Sequence, residues 1–265
     1  MLCIFNWFKD KLSLTERHRL IRQSGFDGVM LLWSDEYDSN YRDFPSLSRK
    51  AGLIVENIHL PFKNMNHLWE DNLDGEELTK IFLQNIDDCA EHEIPTVVMH
   101  SSYGEASPVN EIGLKRFDKL IERAEQRNVN IALENMCEAS QLLQTAELLE
   151  YCDSPYLGFC FDSGHHNIRK SQKPECDLLT RFGHRLKALH LHDNNGITTG
   201  KYEDDMHLLP FDGNIDWSEI MKKIKDSGYS GAITLEAVNI RYEDISVEEF
   251  LCEAYKRAKK LEMLR

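Results

Sequence analysis

The chain has 265 residues, an ordinary length for one α/β barrel, and no Pro- or Ser-rich linker, low-complexity tract or charge block divides it. Its formal net charge is −14, which argues against a protein whose main business is the nucleic-acid backbone, because phosphate contacts need a basic footprint. The hydrophobic fraction is 42% without a run of membrane-spanning length, and the seven cysteines are scattered without a CxxC pair, which argues against a membrane protein, a disulfide framework and a thiolate zinc site.

Met1 leads directly into LCIFNWF, with no basic segment or cleavage site, so the expected location is a reducing cytoplasm. LCIFNW near Leu2 is the first of eight short apolar runs. GVMLLW near Val29, LIVENIHL near Val55 and TVVMHS near Val98 follow. The second half gives NIALEN near Ala132, LGFCFD near Phe159, LKALHLHD near Leu189 and AITLEA near Ile233. Amphipathic helical stretches separate them. Asp74-Gly-Glu-Glu77 reads as a capping box before Leu78, and Asp216 to Glu219 and Ser246 to Glu249 read as two further helix starts. SGFDGV and SGYSGA both read as a helix end, a glycine stop and a strand. Apolar strands alternating with helices predict a parallel sheet covered by helices. Eight such units predict closure into a (β/α)8 TIM barrel, one domain spanning residues 1–265. No GxGxxG follows the first strand, which disfavours an open dinucleotide-binding sheet.

The polar residues fall at strand ends. His59 ends the third strand, His100 the fourth, Glu134 the fifth and Asp162 the sixth; His190 lies on the seventh and Glu236 ends the eighth. All such ends converge on one mouth of a barrel. A lone strand-end histidine is more often structural, and a lone carboxylate can simply cap the next helix. Together, clustered carboxylates raise one another's pKa unless a cation neutralises them. Oxygen and nitrogen ligands suit Mn, Mg, Co or Zn. In FDSGHHN, His165 stands one short turn after Asp162, and Asp205 and His207 form a further pair in DDMHLLPFDGNIDW. NNGITTGK offers a weak phosphate-loop signal at Gly196, Gly200 and Lys201. Trp7, Trp33 and Trp69 are candidates for roofing a pocket or for ordinary packing.

These residues resemble the xylose isomerase-like barrel superfamily, whose members include ketose 3-epimerases, sugar-phosphate isomerases, inositol-catabolism enzymes and endonuclease IV. The resemblance runs from the first strand to ITLEA. It implies one divalent metal held by Glu134 in ALEN, Asp162 in GFCFDSGH, His190 in ALHLHDN and Glu236 in TLEA, with His165 binding substrate. It implies isomerisation or epimerisation of a small keto-sugar or sugar phosphate through an enediolate, with Glu134 and Glu236 as the acid/base pair. His59 and His100 are further candidates for substrate binding, and His192, with Asp193, is expected to orient a ligand or touch substrate. Many members are dimers or tetramers, which leaves a homo-oligomer open.

The endonuclease IV branch implies a larger zinc set, adding His100, His165, Asp205 and His207 as candidate ligands and abasic DNA as substrate. Against nucleic acid stand Ser101-Ser102 after His100, where that branch has Pro-Gly, and the acidic charge. A barrel that keeps metal or sugar binding but has lost turnover is the remaining alternative.

Overall fold

The computed structural model describes residues 1–8, 12–34, 39–169 and 171–265. Each apolar run of the sequence forms a strand: β1 (Leu2–Phe5), β2 (Gly28–Leu32), β3 (Ile54–His59), β4 (Thr96–Met99), β5 (Asn130–Glu134), β6 (Leu157–Asp162), β7 (Leu186–His190) and β8 (Ile233–Leu235). The ladders are parallel, in the order β7-β6-β5-β4-β3-β2-β1-β8. A bridge between Leu191 and Leu235 closes the ring, with Leu191 N–H donating to Thr234 O at 2.9 Å and Glu236 N–H to Leu191 O at 3.0 Å. The expected TIM barrel is therefore the observed one. Among the described residues no helix is long and apolar enough to cross a membrane.

The outer layer comprises α1 (Leu14–Ser24), α2 (Phe44–Lys50), α3 (Leu73–Glu91), α4 (Glu111–Arg127), α5 (Ala139–Tyr151), α6 (Ser163–Asn167), α7 (Leu178–Phe182), α8 (Trp217–Asp226) and α9 (Val247–Leu264). Asp216 caps α8 by accepting from Ser218 N and Glu219 N, and Ser246 with Glu249 forms a reciprocal capping box on α9. The expected box at Asp74 is corrected: Asn72 caps α3 by accepting from Gly75 N, so the helix starts at Leu73 and Asp74 sits in its first turn. Gly25 and Gly228 stop α1 and α8 at φ +110° and +80°, the left-handed region where a Cβ is penalised.

Strand alternation divides the side chains between two compartments. Ile131, Leu133, Phe159, Phe161, Leu189 and Leu235 join the apolar layer between sheet and helices. Val98, Ala132, Cys160 and Ala188 form a separate cluster of small side chains inside the barrel. One alternation step beyond that inner layer, the same strands place Glu134, Asp162 and His190 at the mouth.

Candidate metal centre

The register of the sheet builds the site. Asp162 and His190 are paired neighbours on β6 and β7, and Glu134 pairs with Cys160 on β6. Their side chains are enclosed: Asp162 and His190 are 0% exposed, Glu134 is 1% and Glu236 is 8%. Asn135 fixes this edge, donating through Nδ2 to Asp162 O and accepting Asp162 N–H on Oδ1, each at 2.8 Å.

Glu134, Asp162, His190 and Glu236 each place one donor atom within 4.8 Å of the others. His190 Nδ1 stands 3.2 Å from Glu134 Oε2 and 3.7 Å from Glu236 Oε2, yet among the described residues neither ring nitrogen of His190 is hydrogen-bonded. A buried imidazole unsatisfied at both nitrogens is costly unless a ligand completes it. Glu134 also draws in His59, with Nε2 3.1 Å from Oε2, His100, with Nε2 3.7 Å from the same oxygen, and His165, with Nδ1 3.0 Å from Oε1. His59, His100 and Glu134 thus form a second convergent group.

A third group gathers where the loop after β7 returns to the mouth. Asp205 Oδ2 lies 3.1 Å from His207 Nε2 and 3.4 Å from His165 Nε2. His207 adopts φ +46°, which an imidazole-bearing residue rarely does and which costs roughly 1–3 kcal/mol. His192, expected to orient a ligand or touch substrate, lies against Asp162. It is fully buried behind Asp162, with Nε2 3.1 Å from both carboxylate oxygens, and its ring stacks on His207 at 4.0 Å. It therefore holds a ligand candidate, and it also converges with Asp205 and His207 within 4.8 Å.

The tautomers are set by backbone carbonyls, which can only accept. His59 Nδ1–H donates to Leu60 O at 2.8 Å, His207 Nδ1–H to Glu236 O at 2.8 Å and His165 Nδ1–H to Asn135 O at 3.2 Å. In neutral histidines this turns the Nε2 lone pairs of His59, His165 and His207 toward carboxylates. Two acceptors face each other at each contact, so either a proton or a cation must lie between them. The donor chemistry therefore fits a divalent cation ligated by oxygen and nitrogen.

Without a cation, the charges of the cluster shift the titration of several of its members. Burial depresses His207, but Asp205 outweighs it and lifts its pKa to about 10. Burial likewise depresses His165, and Asp162 and Asp205 drive it well above the usual range. Burial raises Glu134, but His190, His165 and His59 hold it well below the ordinary carboxylate range. Burial raises Glu236 far above that range, helped by the charges of Glu134 and Asp162 against the opposing His207. His100 is pushed down to about 3, chiefly by burial.

Above these groups opens a cavity of about 670 Å³, whose lining includes Trp7, Phe62, Tyr103, His165, Asp205 and Glu236. Lys63 and Lys201 also line it. Of the other tryptophans, Trp33 borders a separate cavity of about 360 Å³, and Trp69 donates Nε1–H to Ser101 O at 2.8 Å within the packed layer. The amides of Thr199 and Gly200 do not form an open phosphate cradle. Asp204 already accepts from Thr199 N at 2.9 Å, from Gly200 N at 2.8 Å and from the Thr198 hydroxyl.

Two contributors lay outside the sequence reading. Cys160 Sγ falls within 4.8 Å of donor atoms of Glu134 and His190, and the alternation from Asp162 is the signal that places it beneath them. Gly164 leaves room for His192: a Cβ there would stand 1.9 Å from the imidazole Cε1.

A family model described as xylose isomerase-like TIM barrel matches residues 19–255. An uncharacterized protein of Sinorhizobium fredii is 31% identical over 92% of this chain and 86% of its own length. An inosose isomerase of Halalkalibacterium halodurans is 28% identical over 49% of this chain and 47% of its own, and a D-psicose 3-epimerase of Enterocloster bolteae is 27% identical over 46% and 38%. Among solved structures, the IOLI protein with a bound zinc atom superposes with a TM-score of 0.75 over 99% of this chain and 96% of that one, at 20% identity.

Proposed function

Since the chain belongs to the xylose isomerase-like TIM barrel family, we propose that it is a metal-dependent isomerase or epimerase of a small keto-sugar or sugar phosphate. The observation that carries this reading is the convergence of Glu134, Asp162, His190 and Glu236 around an imidazole with no hydrogen-bond partner. The distant relatives include a sugar isomerase and a sugar epimerase, and a zinc atom in a structural neighbour agrees with the donor set.

Glu134, Asp162, His190 and Glu236 would hold one divalent cation, Mn, Mg, Co or Zn. When bound, it would stabilise the negative charge developing on the substrate carbonyl oxygen. The proton chemistry falls to two carboxyls whose environments push their pKa values apart. In the metal-free site Glu134 lies well below and Glu236 well above the ordinary carboxylate range, and as an acid/base pair one would accept a proton from the carbon beside the carbonyl and the other would return one. His165 would hold a substrate hydroxyl. His59 and His100, which also line the cavity, would flank the substrate or share Glu134 with a further cation. The aromatic residues of the lining, Trp7, Phe62 and Tyr103, suit the C–H face of a sugar.

A second reading has its own support. The groups His59–His100–Glu134 and His192–Asp205–His207 converge, and His165 Nε2 stands 3.4 Å from Asp205; the resemblance to endonuclease IV implies further cations held here by His165, Asp205 and His207, with phosphodiester cleavage as the reaction. The two readings part on measurement. Transfer of solvent deuterium into a ketose from D2O, abolished by chelation, supports the isomerase. Cleavage of abasic DNA with three zincs per chain and no ketose exchange would replace it. Neither activity from metal-loaded protein would leave a binding barrel without turnover.

A further inference from the structure

The cavity over the cluster is larger than one ketose needs. At about 670 Å³ it falls within the range of roughly 300–1,000 Å³ that encloses drug-sized ligands, so a single ketose at the cluster leaves the outer part to other atoms. The lining changes character toward that outer part. His100, whose Nε2 stands 3.7 Å from Glu134 Oε2, stacks on Phe62 with ring centroids 4.9 Å apart, and Phe62 lies 5.9 Å from the Tyr103 ring. A continuous aromatic ramp therefore runs from the cluster to the rim, where Tyr103 is 48% exposed.

Both sides of the rim are fixed. The Asn66 carboxamide grips the Tyr103 backbone twice, Oδ1 accepting Tyr103 N–H at 2.9 Å and Nδ2 donating to Tyr103 O at 2.8 Å. The loop after β7 brings in Tyr202, which lines the cavity although it is 83% exposed. Asp204 ties that loop down, accepting from Thr199 N at 2.9 Å, Gly200 N at 2.8 Å and the Thr198 hydroxyl. Asp205 N–H adds a bond to Tyr202 O at 3.0 Å. Two aromatic rings are thus held at the opening within reach of solvent. The wall beside Tyr103 also supplies an acceptor. Gln141 is 3% exposed and lines the cavity; its Nε2 donates to Ser102 O at 3.1 Å, and among the described residues nothing donates to its Oε1. Aromatic rings beside fixed polar groups suit a pyranose, whose C–H face stacks while its hydroxyls hydrogen-bond.

We propose that the rim is a subsite for a second sugar ring, so that the substrate is a ketose carrying a glycosyl unit on the end remote from its carbonyl. This rests on the isomerase reading and narrows it. A phosphate on that end finds no amide cradle, since Asp204 holds the amides of Thr199 and Gly200, and Asp205 adds a further carboxylate to the lining.

The test is deuterium exchange from D2O, on Mn²⁺-loaded protein, into three ketoses with the same reacting end. They are D-fructose, D-fructose 6-phosphate and isomaltulose, which is D-fructose with a glucosyl unit on its terminal oxygen. Isomaltulose should exchange with a kcat/KM about tenfold above that of D-fructose, mostly through KM, the return expected from one or two aromatic contacts. Tyr202→Ala should cut that advantage about three- to tenfold, and Tyr202→Phe, which keeps the ring, should retain most of it. At 83% exposure neither change threatens the fold. A merely structural role for Tyr202 would move both ketoses together. Equal kcat/KM for D-fructose and isomaltulose, a preference for the phosphate, or an advantage untouched by Tyr202→Ala overturns the subsite and leaves the isomerase standing. No exchange into any of the three removes the isomerase reading, and calorimetry on the same protein then decides the subsite. Isomaltulose binding about tenfold tighter than D-fructose, and weakened by Tyr202→Ala, keeps it; equal or absent binding discards it.

Discussion

His190 Nδ1 stands 3.2 Å from Glu134 Oε2 without the geometry of a hydrogen bond, and its Nε2 has no hydrogen-bond partner among the described residues either. A cation ligated by both residues would satisfy them together. Divalent metal should therefore stabilise the native state by mass action. At a hundredfold excess over the dissociation constant the gain is about 2.7 kcal/mol, or roughly 5–10 °C in melting temperature for a chain of this size. Thermal melts of stripped protein with and without Mn²⁺ or Zn²⁺ measure it. His190→Ala should lose most of the shift, and an equal shift in that variant would take His190 out of the metal site.

In the metal-free site burial, with the charges of Glu134 and Asp162, pushes Glu236 well above the ordinary carboxylate range, whereas its histidine neighbours hold Glu134 well below it. Glu236→Gln preserves the shape and removes the transferable proton. Turnover should fall by about 10²- to 10⁴-fold, the usual contribution of a positioned acid or base. Deuterium uptake into the ketose reads the chemical step, and circular dichroism should remain that of the wild type. Exchange near the wild-type rate would assign the proton transfer elsewhere.

The sequence is legible where chemistry and periodicity coincide. Six of the eight apolar runs carry a histidine or carboxylate at or near the end, and the strands place those residues at one mouth as alternation requires. Asp216 and Ser246 were recognisable caps because each satisfies amides two or three residues onward. Asp74 misled because its acidic run mimics a cap while Asn72, two residues earlier, makes the hydrogen bond. The burial of His192 was not legible, since it depends on room left by Gly164, 28 residues away in the chain. The Gly196–Lys201 stretch looked like an anion loop because nothing local reveals that Asp204 already occupies its amides.

Gly164→Ala tests that packing. The added methyl would fall on the His192 ring, whose Nε2–H holds the Asp162 carboxylate. Gly164 lies in α6, where alanine would otherwise favour the helix, so any loss comes from the clash. Overpacking of this kind costs about 1–3 kcal/mol in a urea titration. Metal affinity should fall by about tenfold as Asp162 loses its orienting donor. Unchanged stability and affinity would mean that His192 has another resting place.

The last prediction concerns a carboxyl inside the barrel. Glu56 is buried and, among the described residues, accepts from the Thr234 hydroxyl at 3.3 Å and from the Asn57 amide. Burial drives its pKa up to about 7, against those two hydrogen bonds. Cys3, Cys160 and Tyr229 are its titratable neighbours; burial raises all three, and the Glu56 charge raises them further, so none supplies a counter-charge. The folded chain therefore keeps a proton that the unfolded chain releases near pH 4.5. It binds more protons than the unfolded chain between those values, so stability is lost as pH rises from about 4.5 through 7. At 1.36 kcal/mol per pKa unit the loss amounts to about 3 kcal/mol. Glu56→Gln accepts the same hydrogen bonds and cannot ionise. Urea unfolding of both proteins in chelator, between about pH 5 and pH 8, should show the variant gaining about 2–3 kcal/mol on the wild type across the interval. Parallel pH profiles would mean that Glu56 ionises in the folded chain as easily as in the unfolded one.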